Sequence, residues 1–128
     1  MSKEKTIKYY LEENFNCAET ILLLSIEEYD LQVKKDQARI LKGFGGGMYM
    51  ERTCGVVTGG IAVLSLLYDG EHLKNKVIKY QDLVKERFQS LDCEKIKTTH
   101  RENDVRCAGV INDAYTILKS IINKKEEA

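Results

Sequence analysis

The uncharged stretch Cys54 to Tyr68 runs fifteen residues and contains three glycines. It follows the segment Gly43-Phe44-Gly45-Gly46-Gly47-Met48, in which a regular helix is costly because each glycine loses about 1 kcal/mol relative to alanine. Fifteen residues fall short of the roughly twenty that a membrane helix needs. The stretch therefore predicts a buried helix that the rest of the chain must cover, entered through a glycine-rich loop over 43–50. Proline is absent, so nothing in the chain obliges a helix to break.

Periodicity supplies the cover. Helices are predicted from about Lys5 to Glu13 with Ile7, Tyr10 and Leu11 inward, and from Asn16 to about Asp30 with Ala18, Ile21, Leu22, Ser25 and Ile26 inward. Asn16 and Glu19 have the spacing of a capping box. A short helix over Lys35 to Lys42 carries Ala38, Ile40 and Leu41. Thr53 is the expected cap of the apolar helix, in which Gly55 and Gly59 share a face and admit a close neighbour. The next helix, Glu71 to Gln89, buries Leu73, Val77, Tyr80, Leu83, Val84 and Phe88. Ser90 or Asp92 caps a turn at Cys93, and Lys97 to Asp104 reads as a polar loop. The last helix, Val105 to Asn123, carries Cys107, Val110, Ile111, Ala114, Leu118 and Ile121 on one face, and the tail from Lys124 to Ala128 is expected in solvent. No segment alternates long enough for a sheet. The expected fold is all-α: a single domain over residues 1–128, a bundle of about five to six helices with the apolar helix at its centre.

Charge and flanking segments narrow the function. Twenty basic and twenty acidic residues cancel, which leaves no electrostatic case for nucleic-acid binding. The N-terminal segment carries charges throughout and no apolar run, so neither an export signal nor membrane insertion is expected, and the expected compartment is the cytoplasm. Cysteines there are mostly reduced thiols, used as core filler, metal ligands or redox groups.

The four cysteines are separated by 36, 38 and 13 residues. That excludes a CxxC dithiol, a zinc ribbon and a CxxCH haem site. The glycine loop lacks the Gly-Lys-Ser/Thr of a phosphate loop, and no strand precedes it as a dinucleotide fold requires. Cys17, Cys54 and Cys93 each follow a capping residue, in the first turn of a helix, where unpaired N–H groups favour a thiolate. The effect is roughly 0.3–1 kcal/mol, under one pKa unit. Arg52 is the nearest cation to Cys54, whereas Asp92 and Glu94 oppose ionisation of Cys93. Cys54 is therefore the expected nucleophile, then Cys17. Cys107, on an apolar stripe, reads first as core. His72 and His100 read as surface residues, and Tyr9, Tyr10 and Met48-Tyr49-Met50 are the candidates for an exposed apolar patch.

Together these residues resemble the C_GCAxxG_C_C family of small redox-associated proteins. Asn16-Cys17-Ala18 matches its first cysteine. The glycine loop and Cys54-Gly55-Val56-Val57-Thr58-Gly59 match its central motif, with Val56 where the family has alanine, and Cys93 and Cys107 match its last two cysteines. The resemblance implies a helical fold, a redox role and joint use of Cys54, Cys17, Cys93 and Cys107. A related domain in split-Soret cytochromes binds haem and an iron–sulfur centre; the haem motifs are absent from this sequence, so only the cluster carries over.

Three functions stay open. In the first, clustered thiols perform thiol–disulfide or electron-transfer chemistry, with Cys17 and Cys54 adjacent and Cys93 and Cys107 nearby. In the second, the same four cysteines hold zinc or an iron–sulfur cluster. The third is a non-catalytic helical interaction module. Gly45, Gly46, Gly47, Gly55 and Gly59 are the expected backbone of a ligand site. The partners open to it are a redox protein, a small molecule or a second copy of the chain.

Overall fold

The computed structural model describes residues 2–102 and 104–122, with side chains from residue 4 onward. Among them the chain forms six α-helices and no strand: α1 (Ser2–Ile7), α2 (Cys17–Tyr29), α3 (Gly55–Leu67), α4 (Gly70–Phe88), α5 (Cys93–His100) and α6 (Ala108–Ile121). A 3₁₀ segment, Lys35–Phe44, joins α2 to the glycine loop. The fold is all-α, as the periodicity predicts. The expected solvated tail and the last residue of the final helix lie outside the described residues.

The central layer is a pair rather than a single helix. In α3, Val56, Val57, Val63 and Leu64 are fully enclosed. In α2, every residue from Ala18 to Ser25 is buried, which exceeds the stripe predicted from spacing. Gly59 explains how closely the two helices meet: a Cβ built on it would stand 2.7 Å from the Ala18 carbonyl oxygen. The expectation that Gly55 and Gly59 admit a close neighbour therefore holds, and that neighbour is the start of α2.

The outer helices cover this pair with the predicted stripes. Tyr80, Val84 and Phe88 of α4 are buried, as are Val110, Ile111, Ala114, Leu118 and Ile121 of α6. The Tyr80 hydroxyl donates to the Val56 carbonyl at 2.6 Å, which satisfies a polar group in the core.

Four readings of the elements need correction. After α1 the chain widens into a π turn over Lys8–Glu12. The extra residue rotates the inward face, so that Thr6 and Tyr9 are buried while Ile7, Tyr10 and Leu11 are only partly covered. The Lys35–Phe44 segment turns every three residues, which selects Ala38 and Leu41 for the core and leaves Ile40 79% exposed. It also carries Gly43 and Phe44, so the loop starts at Gly45. Residues 93–100 are helical where a loop was expected from Lys97. With Ile96 as the one enclosed apolar side chain beyond Cys93, α5 is too short and charged to show a period. Thr53 does not cap α3, because Cys54 itself is the N-cap residue.

The loop ends in a tight turn, Gly47–Glu51, in which Met48, Tyr49 and Glu51 all adopt left-handed backbone angles. Tyr49 and Met50 project into solvent, 74% and 68% exposed. That side chains so large are exposed bears out the sequence reading of Met48-Tyr49-Met50, whereas Tyr9 turns inward.

Candidate functional site

All four cysteines stand at helix starts. Cys17 and Cys93 are the first residues of α2 and α5, and Cys54 and Cys107 are the N-cap residues of α3 and α6. Three of these positions follow from the sequence. Cys107 was expected on the apolar face of the last helix. Instead the left-handed backbone at Arg106, φ 50°, turns the chain just before it, and α6 begins one residue after it.

Specific contacts bring these four helix starts together. Asn16 closes its capping box, accepting from the Glu19 N–H at 2.8 Å while its own N–H donates to Glu19 Oε1 at 2.9 Å. The Asn16 amide then donates to the Lys42 carbonyl at 2.8 Å, tying the end of the 3₁₀ segment beside Cys17. A short antiparallel bridge pairs Thr53 with Asp92. Through it the Cys54 N–H donates to the Leu91 carbonyl at 2.8 Å, and the Cys93 N–H donates to the Arg52 carbonyl. These two cysteines, 39 residues apart along the chain, are thereby set side by side. The Cys107 N–H donates to the Tyr10 hydroxyl at 3.3 Å, which fastens the start of α6 to the N-terminal segment.

The result is a recess of about 290 Å³ lined by Cys17, Cys54, Cys93 and Cys107 together. Gly46 and Gly55 also line it. The other three glycines singled out in the sequence face protein. Gly45 lies against Asn16, Gly59 against Ala18, and Gly47 against Arg52 and the Cys93 Cβ. Gly47 has a φ of 62°, and an added Cβ would stand 2.4 Å from the Arg52 nitrogen, so both angle and space require glycine there.

The Cys17 and Cys107 thiols act on each other within the recess, and all four cysteines are free thiols. Cys107 is drawn down to about 6, first by the hydrogen bond from Cys17, against the opposing effect of burial, and then by the Tyr10 hydroxyl and by Arg101 and Lys97. Cys17 moves the other way, because it keeps the proton of the shared bond and is desolvated. Burial pushes Cys54 up to about 12, although the N–H groups of Val56 and Gly55 favour its thiolate. Burial also raises Cys93. The expectation of Cys54 as the most readily ionised thiol is therefore reversed. A helix start contributes under one unit, which desolvation of a side chain left 5% exposed easily exceeds.

The cations that line the recess are Lys97, Arg101 and Arg106, and among the described residues no Asp or Glu lines it. Sequence reasoning looked to Arg52 and missed them. The signal for them is the set of basic residues between Cys93 and Cys107, in the segment whose polarity predicts a loop. Neither histidine lines the recess. His72 packs on the Tyr68 ring at 4.6 Å and His100 on the Phe88 ring at 5.0 Å.

A measurable consequence is the pH dependence of alkylation. Above its pKa Cys107 is thiolate, so its rate with iodoacetamide should rise through about pH 6 and level off near neutrality. Cys54 should stay unreactive across that range. Tyr10→Phe removes one donor to the Cys107 sulfur and should shift the Cys107 midpoint upward. Cys17→Ala removes the main donor and should shift it further. Site-resolved mass spectrometry checks each midpoint, and a Cys107 profile centred near pH 8.5, the ordinary cysteine range, would contradict the assignment.

The family model described as "Putative redox-active protein (C_GCAxxG_C_C)" matches residues 15–121. The chain belongs to the C_GCAxxG_C_C family. No curated protein and no solved structure matches it. The matched span takes in all four cysteines, the glycine loop and every residue lining the recess except Tyr10 and Asn14. No helix among the described residues of this C_GCAxxG_C_C protein is long and apolar enough to cross a membrane.

Zinc or an iron–sulfur cluster would need three or four donors aimed at one point. Among the described residues, no group of three or more His, Cys, Asp or Glu side chains is placed to hold a metal ion. Four thiols have the right donor chemistry, but as arranged they do not fit such a centre.

Proposed function

We propose that the protein carries out thiol–disulfide exchange, with Cys107 as the attacking thiolate and Cys17 as the resolving cysteine. The observation that carries this reading is the placement of these two thiols, each shifting the ionisation of the other, in a recess lined by all four cysteines. Two sulfurs that face one small recess can bond when their Cα atoms come within about 7 Å, the reach of a bridge.

The steps balance as follows. The Cys107 thiolate forms a bond to one sulfur of an incoming disulfide, whose own S–S bond breaks. The departing thiolate takes the proton of Cys17. The Cys17 thiolate then attacks the Cys107 sulfur, forms the Cys17–Cys107 disulfide and releases the second half of the substrate as a thiolate, which is protonated by water. Two electrons pass from the cysteine pair to the substrate, and an external dithiol restores the pair. A reducing compartment such as the cytoplasm keeps the protein in its dithiol form. Cys54 and Cys93, held high by burial, stay protonated and wall the recess.

The mutual effect of one pair of thiols on their ionisation favours exchange over a four-sulfur metal centre. A non-catalytic interaction module has the exposed Tyr49 and Met50 in its favour, but it gives no reason for four cysteines to face one recess.

Incubation with excess oxidised glutathione should remove two of the four thiols and leave a Cys17–Cys107 disulfide, identified by peptide mapping. Cys17→Ser should instead stop at a glutathione adduct on Cys107, seen by intact mass. If all four thiols survive in the wild type, the reading is wrong.

A further inference from the structure

The chain has no net charge, yet the recess around the thiols is lined by Lys97, Arg101 and Arg106 and, among the described residues, by no acidic one. The same three cations, with Thr98 and Glu102, line a neighbouring polar cavity of about 440 Å³, so a basic shelf runs from the thiols toward solvent. Lys97 is paired with Glu51. Arg101 and Arg106 have no carboxylate partner among the described residues.

Arg106 is held in place. Its guanidinium lies over the Tyr10 ring, 4.9 Å from the centroid, and its carbonyl accepts from the Glu102 N–H at 3.0 Å. Its left-handed backbone is the bend that presents Cys107. The ring beneath the guanidinium also carries the hydroxyl that binds Cys107. One arrangement thus fixes both a planar cation and the sulfur beside it. A guanidinium presents paired N–H donors that match the two oxygens of a carboxylate. Recesses of this size accept small molecules.

We propose that the recess takes a low-molecular-weight disulfide bearing carboxylates, with a carboxylate on Arg101 and Arg106 and a sulfur presented to Cys107. This rests on the exchange reading above and names its substrate class. The products are two carboxylate-bearing thiols, and the two electrons come from the Cys17–Cys107 pair as already balanced.

The test compares three disulfides of similar size: dithiodipropionate, with two negative charges; bis(hydroxyethyl) disulfide, which is neutral; and cystamine, with two positive charges. Toward a simple thiolate in solution the dianion is the slowest, because like charges repel. In this protein the order should invert. At low ionic strength the dianion should oxidise the reduced protein about tenfold faster than the neutral disulfide, and cystamine should be slowest. The neutral disulfide is the internal reference for thiolate reactivity. The dianion-to-neutral ratio should fall roughly threefold in Arg101→Gln and again in Arg106→Gln. In the wild type it should collapse toward one in about 0.5 M salt, a readout that needs no variant to fold. A dianion no faster than the neutral disulfide overturns the substrate class while leaving the exchange reading intact. If none of the three removes thiols, both fall.

Discussion

Replacing Cys107 by serine is expected to cost more activity than any other single change in the recess. Disulfide exchange measured with a small disulfide should drop by roughly a thousandfold, because a thiolate is the attacking species and a serine hydroxyl does not ionise near neutral pH. Cys107 is partly buried, which gives it access, and it sits at the N-cap of α6 with donors from Cys17 and Tyr10. Cys54 has a similar backbone position at the head of α3, but its burial opposes ionisation. Serine retains the size and capping ability of the native residue, so α6 should start unchanged and circular dichroism should match the wild type. The outcome that would return the attacking role to Cys54 is a folded Cys107→Ser protein that exchanges at the native rate.

The largest stability effect is expected at Gly59. Its missing side chain lets α3 rest on the backbone of Ala18, and a Cβ would meet the carbonyl oxygen at 2.7 Å and the Cα at 2.9 Å. These are main-chain atoms, so no rotamer change relieves the overlap. Gly59→Val should force α2 and α3 apart at a cost of about 3 kcal/mol, offset only slightly by the better helix propensity of valine. A domain of this size has on the order of 5–15 kcal/mol in total. The displacement also carries Cys17, at the head of α2, away from Gly55 and Cys54. Gly43→Ala is the matched control, since an added Cβ there has nothing within 4 Å. Urea denaturation should show a clearly lower midpoint for Gly59→Val and a near-native one for Gly43→Ala. Equal midpoints would mean that the two helices are not in the tight contact described.

The stripes of α4 and α6 were legible because they recur at helical spacing for fourteen residues or more. The capping box of Asn16 and Glu19 was legible because both partners lie within one turn. Short or irregular elements were not. The π turn at Lys8–Glu12 inserts one residue into a period, the 3₁₀ segment replaces one period by another, and α5 has too few apolar residues to reveal any. Each altered which side chains face inward, as Tyr9 and Ile40 show.

The cysteine site divides along the same line. Neighbours within a few residues were enough to reveal a helical fold, helices opening at Cys17, Cys54 and Cys93, and a close crossing at Gly59. Segments meeting in three dimensions were needed for Cys107 also to open a helix, for it to share the recess with Cys17, and for Arg101 and Arg106 rather than Arg52 to line that recess. Those facts depend on the Thr53–Asp92 bridge and on the bond between Tyr10 and Cys107, which join segments 39 and 97 residues apart. Ionisation follows from burial and from partners in space, and one local pattern of cap and cysteine is compatible with a thiol that is nearly always protonated or one that is ionised at neutral pH.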